Sequence, residues 1–177
     1  MTANVKLRPI RMGDAETCFR WISDPDVTRL LGLTQAARSL AQERAWISGV
    51  LADTQGQRMF VVADEHGSRI GTCGLRGIDR DAGTAFLGMV IGEKSLWNRG
   101  YGTAATKALV DYAFGELGLR EVRLSCHADN RGALRCYGKA GFQPSTHRPD
   151  RWRFGVREVR MAVTRERWEQ MRAADPW

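Results

Sequence analysis

The stretch Leu96-Trp97-Asn98-Arg99-Gly100-Tyr101-Gly102-Thr103-Ala104-Ala105 puts small residues where an extended run gives way to a helix. Phe86-Leu87-Gly88-Met89-Val90-Ile91-Gly92 is the apolar run before it, and a helical pattern follows. The first N–H groups of a helix have no internal partner, and the helix dipole adds positive potential there. Small residues at Gly100, Gly102, Thr103 and Ala104 leave those groups bare, so they can hold phosphate oxygens without any one side chain. Arg99 adds a full positive charge. The chemistry that fits is the seating of a diphosphate-bearing cofactor, and the plainer alternative is a tight strand-to-helix turn.

Two other phosphate loops are weighed against this one. Gly100-x-Gly102-x-x-Ala105 also matches the dinucleotide fingerprint, which makes a nucleotide-binding oxidoreductase the weaker alternative. That fingerprint belongs after the first strand of a repeated strand–helix unit, and here it follows three strands joined by short turns. A P-loop is excluded because no Gly-Lys-Ser/Thr follows the glycines.

The elements that must position this loop are legible on both sides of it. Val5 to Ile10 alternates and meets Pro9, which predicts a short edge strand. Asp14 is placed to cap a helix running through Trp21, and Ser23-Asp24-Pro25-Asp26 is expected to break it. A second helix is expected from about Arg38 to Leu51, with Thr28 to Thr34 a patternless loop that could line a substrate site. Met59–Ala63, Arg69–Arg76 and Thr84–Gly92 are strands separated by turns too short for crossover helices, so they form an antiparallel meander. Thr103 to Leu117 carries an apolar stripe at helical spacing and stops at Gly118. Glu121–Cys126 alternates as a strand. With Thr84–Gly92 and the helix between, it makes a right-handed βαβ unit with a parallel pair. Asn130 or Asp129 caps a helix through Lys139 that ends at Gly141. Glu158–Val163 is a last strand and Arg165–Arg172 a terminal helix. The fold class is therefore α+β, one domain over residues 1–177, with a mixed central sheet flanked by helices.

Composition narrows the function. The chain of 177 residues has 43% hydrophobic and 27% charged residues, which suits one domain with its own core. No apolar run approaches the ~20 residues that span a bilayer, and Met1 to Lys6 lacks the apolar core of a signal peptide, so a cytosolic protein is expected. Cys18, Cys73, Cys126 and Cys136 are scattered, and His66, His127 and His147 do not fall at ligand spacings, which argues against a disulfide framework or a metal site. The net charge of +7 suits a polyanionic small molecule as well as a nucleic acid. With no zinc-finger or RNA-binding strand signature, nucleic acid is the minor reading.

A second stretch, Asn130-Arg131-Gly132-Ala133-Leu134-Arg135-Cys136-Tyr137-Gly138-Lys139-Ala140-Gly141-Phe142, sharpens the first. Trp97-x-x-Gly100-x-Gly102 resembles the pyrophosphate-binding motif Q/R-x-x-G-x-G/A of the GCN5-related N-acetyltransferase (GNAT) superfamily, with Trp97 at its first position. The later stretch resembles the same family's N-x-x-A-x-x-x-Y-x-K-x-G-F segment. Leu7-Arg8-Pro9, Trp21 with Asp24-Pro25-Asp26-Val27, and Met161 with Trp168 resemble its ribosomal-protein alanine N-acetyltransferase (RimJ/RimL-like) branch. The likeness covers nearly the whole chain.

The resemblance implies an acyl-CoA N-acyltransferase fold with acetyl-CoA in a cleft where two parallel strands splay, here the strands ending at Gly92 and Cys126. Pantetheine amides would pair with backbone along Met89, Val90 and Ile91 like an added strand. The diphosphate would lie on Trp97, Asn98, Arg99, Gly100, Tyr101, Gly102 and Thr103, and Asn130 would hold pantetheine or a water while capping its helix. Tyr137 matches the tyrosine near the thioester sulfur, where a phenol of pKa ≈ 10 can protonate the leaving thiolate. The alternative for Tyr137 is a packed helix tyrosine. A CoA-binding domain without catalysis is the competing function. Many relatives place a glutamate base on the strand before the glycine loop; the nearest position here is Phe86. Glu93, Asp24, Asp26 and His127 are weaker candidates, so the base stays unassigned. An acetyl-cysteine intermediate on Cys126 or Cys136 is disfavoured against direct transfer. The acceptor is a protein N-terminus or a small-molecule amine. Arg148, Arg151, Arg153 and Arg157, if they face the site, favour an acceptor with a carboxylate or phosphate; otherwise, with Arg160, they form a solvated basic face. A homodimer is implied by resemblance only.

Overall fold

The computed structural model describes residues 3–31, 39–146, 150–153 and 156–174. Lys6–Pro9 (β1) forms one edge of the sheet, pairing antiparallel with Gln57–Ala63 (β2). Arg69–Asp79 (β3) and Thr84–Ile91 (β4) continue the meander, each antiparallel to the one before. Glu121–His127 (β5) then lies parallel to β4. Val156–Thr164 (β8) pairs antiparallel with β5 along its whole length, and Gln143–Pro144 (β6) and Arg151–Arg153 (β7) line the far edge of β8. The expected mixed sheet is thus present, with β6 and β7 as two short strands that the sequence pattern did not announce.

The helices differ from expectation in instructive places. Ala15–Ile22 (α1) follows a 3₁₀ turn at Met12–Asp14, so Asp14 lies inside the helical run and does not cap α1 with its side chain. Its buried carboxylate accepts the Arg11 N–H at 2.8 Å, Arg8 at 2.8 and 3.1 Å, and Arg69 at 3.3 Å. The break at Ser23-Asp24-Pro25-Asp26 is also the start of Pro25–Leu31 (α2). Proline suits the first helical position because the N–H it lacks would have no intrahelical partner there, and Asp24 Oδ1 accepts the Asp26 N–H. Part of the expected loop from Thr28 is therefore helical, while residues 32–34 and Arg38 lie outside the described residues. Leu40–Ala52 (α3) is capped by Ser39, whose Oγ accepts the Gln42 N–H at 3.2 Å.

Tyr101–Asp111 (α4) starts two residues earlier than the apolar stripe alone suggests. It widens at Tyr112–Glu116 into a π turn, closed by the Leu117 N–H on the Tyr112 carbonyl, before Gly118 at φ 68° turns the chain. Arg131–Lys139 (α5) and Arg165–Ala174 (α6) complete the fold.

Two apolar layers sandwich the sheet. On one face Leu75, Leu87, Leu109, Phe114, Val122, Leu124 and Val163 are buried beneath α4, α5 and α6. Trp168 of α6 packs on Phe114 at 5.4 Å and donates its indole N–H to Asp111 at 2.6 Å. On the other face α1 and α3 cover β1 to β3 through Ile10, Trp21, Ile47 and Val61. Trp21 seats its ring against Gly92 and donates to Glu93 at 2.8 Å, so the end of β4 is fixed from that side.

Two stability measurements follow from these clamps. Burial alone would raise the Asp14 carboxyl, but hydrogen bonds from Arg8, the Arg11 N–H and Arg69 outweigh it and hold it below the ordinary carboxylate value. The stability it contributes is thus present above about pH 4 and lost as pH falls through the lowered value. Asp14→Ala should cost about 2 kcal/mol in urea unfolding at pH 7, since Arg8 and Arg69 stay partly hydrated, and the gap to the parent should close on acidification. In Gly92→Ala the new Cβ would lie 2.1 Å from Trp21 Cγ, against a ring held by its bond to Glu93. Overpacking of this kind should cost about 2 kcal/mol and lower Tm by about 4–8 °C in a thermal melt.

Candidate active site

The β4–β5 ladder runs only from Thr84↔Glu121 to Phe86↔Arg123. Beyond Phe86 the two strands part, although β4 continues to Ile91 against β3 and β5 to His127 against β8. Gly92 N–H bonds to Ile70 C=O at 2.9 Å, which fixes the parity of the β3–β4 ladder. Since a strand's backbone groups alternate sides, Val90 turns its N–H and C=O to Thr72, while Met89 and Ile91 turn theirs into the gap. Of the expected edge on Met89, Val90 and Ile91, the backbone of Met89 and Ile91 faces the gap and that of Val90 is bound into the sheet.

The glycine loop closes one end of this gap. Trp97 Nε1 donates to the Ile91 carbonyl at 2.7 Å, tying the loop to the strand end. Asn98 has φ 60° and Gly100 φ 91°, two left-handed residues that reverse the chain into α4. The first internal bond of α4 runs from Ala104 N–H to Gly100 C=O at 3.0 Å, so the N–H groups of Tyr101, Gly102 and Thr103 have no partner within the helix. Arg99 is exposed beside them. The Tyr101 side chain points elsewhere, its hydroxyl bonding to Glu65 at 3.2 Å, so only its backbone faces the turn.

The start of α5 converges on the same loop. Asn130 Oδ1 accepts the Ala133 N–H at 3.0 Å, as capping predicts, and Asn98 Oδ1 lies 3.9 Å from where a Cβ on Gly132 would sit. Thr106 of α4 bonds to Gly102 O at 2.8 Å and reaches Cys136 Sγ at 3.5 Å and Met89 Sδ at 3.9 Å, which locks α4, α5 and β4 together. One turn on, Tyr137 is 9% exposed, packed on Phe142 at 5.9 Å among the core residues behind the gap. Burial, then the nearby Cys126, Cys136 and Cys73, push its phenol well above the ordinary value of 10, so it keeps its proton at neutral pH. The placement is that of a packed helix tyrosine that keeps its proton.

The other candidates sort by partner. Glu93 accepts from Arg20 at 2.7 Å and Trp21 at 2.8 Å; Asp24 and Asp26 pair with Lys94 at 2.7 and 2.8 Å. All three are ion-paired carboxylates that position α1 and α2 beside the loop. Burial raises the Cys126 thiol to about 12 and the Cys136 thiol above its ordinary value, so neither is a ready thiolate nucleophile. Of the basic stretch, Arg157 is held by Asp150 at 2.7 and 3.0 Å, and Arg148 lies outside the described residues. Among the described residues no cluster of His, Cys, Asp and Glu could hold a metal, and no helix is long and apolar enough to cross a membrane.

Sequence reasoning missed a hollow on the opposite face of the sheet, where the ladder stops. Phe86, Arg123, Ser125, Ser145 and Arg160 line about 210 Å³ of space there. The alternation of β5 carried the signal: Arg123 and Ser125 interleave with the buried Val122, Leu124 and Cys126.

Relatives and solved structures agree with this architecture. The N-acetyltransferase p20 of Bacillus licheniformis is 28% identical over 147 residues, covering 80% of each chain. An aminoglycoside N(6')-acetyltransferase type 1 of Klebsiella pneumoniae is 25% identical over 183 residues, covering 96% of this chain and 88% of its own. The spermidine N-acetyltransferase of Vibrio cholerae, in complex with CoA and spermine, superposes with a TM-score of 0.84 at 19% identity, covering 94% of this chain and 98% of its own. Residues 4–143 match the acetyltransferase (GNAT) domain model, and the chain belongs to that family.

Proposed function

We propose that this protein is an N-acetyltransferase that moves the acetyl group of acetyl-CoA directly to a primary amine. The observation that carries the reading is the parting of β4 and β5 after Phe86 and Arg123, with bare N–H groups at one end and a protonated phenol behind it. The spermidine N-acetyltransferase of similar fold holds CoA, and AAC(6')-Ib was solved with coenzyme A and ribostamycin, which supports the same cosubstrate here.

In this reading the diphosphate rests on the amides from Asn98 to Thr103, helped by Arg99, with Trp97 holding that loop to the strand. The pantetheine arm lies along Met89 and Ile91 as an added strand, and Asn130 stands at its side. The acetyl carbonyl then reaches the gap. A neutral amine attacks the carbonyl carbon, the new C–N bond forms, and the C–S bond breaks with its electron pair on sulfur. Tyr137 gives its proton to that thiolate. The nitrogen's surplus proton leaves to water, because the nearby Glu93, Asp24 and Asp26 are held as ion pairs. Raised thiols at Cys126 and Cys136 favour this direct route over an acetyl-cysteine. Arg8, Trp21, Asp24 and Trp168, which carry the ribosomal-protein branch resemblance, all serve ion pairs or hydrogen bonds of the fold, so they leave protein N-termini and small amines both open as acceptors.

Release of free CoA from acetyl-CoA across a panel of amines tests the activity, and a panel without any release would overturn it. Tyr137→Phe should lower kcat by about 10²-fold or more while acetyl-CoA binding persists in calorimetry. An unchanged kcat would remove Tyr137 from the chemistry. Because burial keeps the phenol protonated, kcat/KM should rise with pH as the acceptor loses its proton, with no alkaline fall before the ordinary phenol value.

A further inference from the structure

The hollow beyond the last β4–β5 rung has a composition that selects an acceptor. Arg76, Phe86 and Arg123 lie opposite one another on three adjacent strands, on the face away from α4 and α5. Neighbouring strands are ~4.8 Å apart, so the two arginines bracket the ring at roughly 10 Å. One step further along β4 is Gly88, whose missing side chain leaves the space open; Arg76 guanidinium atoms sit 3.9 Å from where its Cβ would be. Level with it on β5 is Ser125, paired with Arg160 on β8. Arg160 is set by its own backbone, whose N–H bonds to Asp150 at 3.3 Å and whose carbonyl accepts Ser145 N–H at 2.8 Å. Phe86, Arg123, Ser125, Ser145 and Arg160 line this space, and Leu124 borders it where the strands part.

Its charge balance is one-sided. Arg123 is neutralised by Glu121, and Glu158 nearby has a partner of its own. Among the described residues the guanidinium groups of Arg76 and Arg160 have no acidic partner within ion-pair distance. A polycation entering here meets fixed positive charge, whereas a carboxylate or phosphate meets planar donor forks that bind it two bonds at a time. The solved relatives of similar fold were captured with spermine or ribostamycin, both polyamines.

We propose that the acceptor is a small-molecule amine carrying its own carboxylate or phosphate, gripped by Arg160 with the amino group turned into the β4–β5 gap. Arg76 adds long-range attraction and Phe86 the apolar wall. This inference rests on the acetyl transfer proposed above. Arg160 acts by binding and orienting, so its removal weakens KM for the acidic acceptor more than kcat.

The test is CoA release with matched pairs: an amino acid against its decarboxylated amine, and O-phosphoethanolamine against ethanolamine, with spermidine and kanamycin alongside. The acidic member of at least one pair should show kcat/KM at least about tenfold higher than its neutral partner, with the pair that responds naming the anion. Arg160→Gln should shrink that ratio through KM, and Arg160→Lys, which keeps charge but loses the fork, should restore part of it. Melting curves confirm that both variants are folded. Preference for the neutral amines or for spermidine and kanamycin would overturn the acidic acceptor and leave acetyl transfer standing, as would an unchanged ratio in Arg160→Gln. Absence of CoA release with every amine would instead overturn acetyl transfer itself.

Discussion

Everything at this site depends on a ladder that stops early. Two parallel strands that stayed paired to their ends would satisfy each other's backbone groups and leave no place for a ligand between them. Here β4 is held by β3 on one side and β5 by β8 on the other, so each keeps its course after they separate at Phe86 and Arg123. The opening is wedged by packing: α4 and α5 are joined through Thr106 and Cys136 on one face, and Trp21 is seated on Gly92 on the other. Unsatisfied backbone is costly when buried and useful when a peptide-like ligand can reach it. The fold keeps it where a ligand can.

Local sequence signals recovered most of the frame. Alternation located β1 and β5, runs bounded by short turns located β2 to β4, and Gly118 and Gly141, both at positive φ, end helices where expected. The glycine loop and the Asn130 cap were readable because each is a local matter of a few adjacent residues. What escaped was set by register and by partners distant in sequence. Asp14 reads as a cap from its neighbours, and only the approach of Arg8 and Arg69 makes it a buried ionic hub. Pro25 reads as a breaker, yet the same residue that ends one helix opens another. The β4–β5 parting cannot be seen in either strand, since both remain regular on their outer sides. The row of Arg76, Phe86 and Arg123 exists only once three strands are aligned.

Charge is distributed along the chain with the same logic. Arg8, Arg157 and Arg165 are absorbed by carboxylates or backbone carbonyls of the fold. Glu93, Asp24 and Asp26 are absorbed in turn by Arg20 and Lys94. A net charge of +7 therefore says little until the committed cations are set aside. Among the described cations without an ion pair are Arg99 at the glycine loop and Arg76 and Arg160 on the face of Phe86. In the function proposed above, these two cationic points would align an extended cosubstrate with a short acceptor.

The bond from Trp97 to the Ile91 carbonyl has a consequence for solubility. An unpaired strand flank is normally a template on which another copy of the chain can build, and proteins guard against it. The indole occupies one acceptor of that flank. The parted flank therefore offers a second copy of the chain fewer groups to pair with than an ordinary sheet edge would.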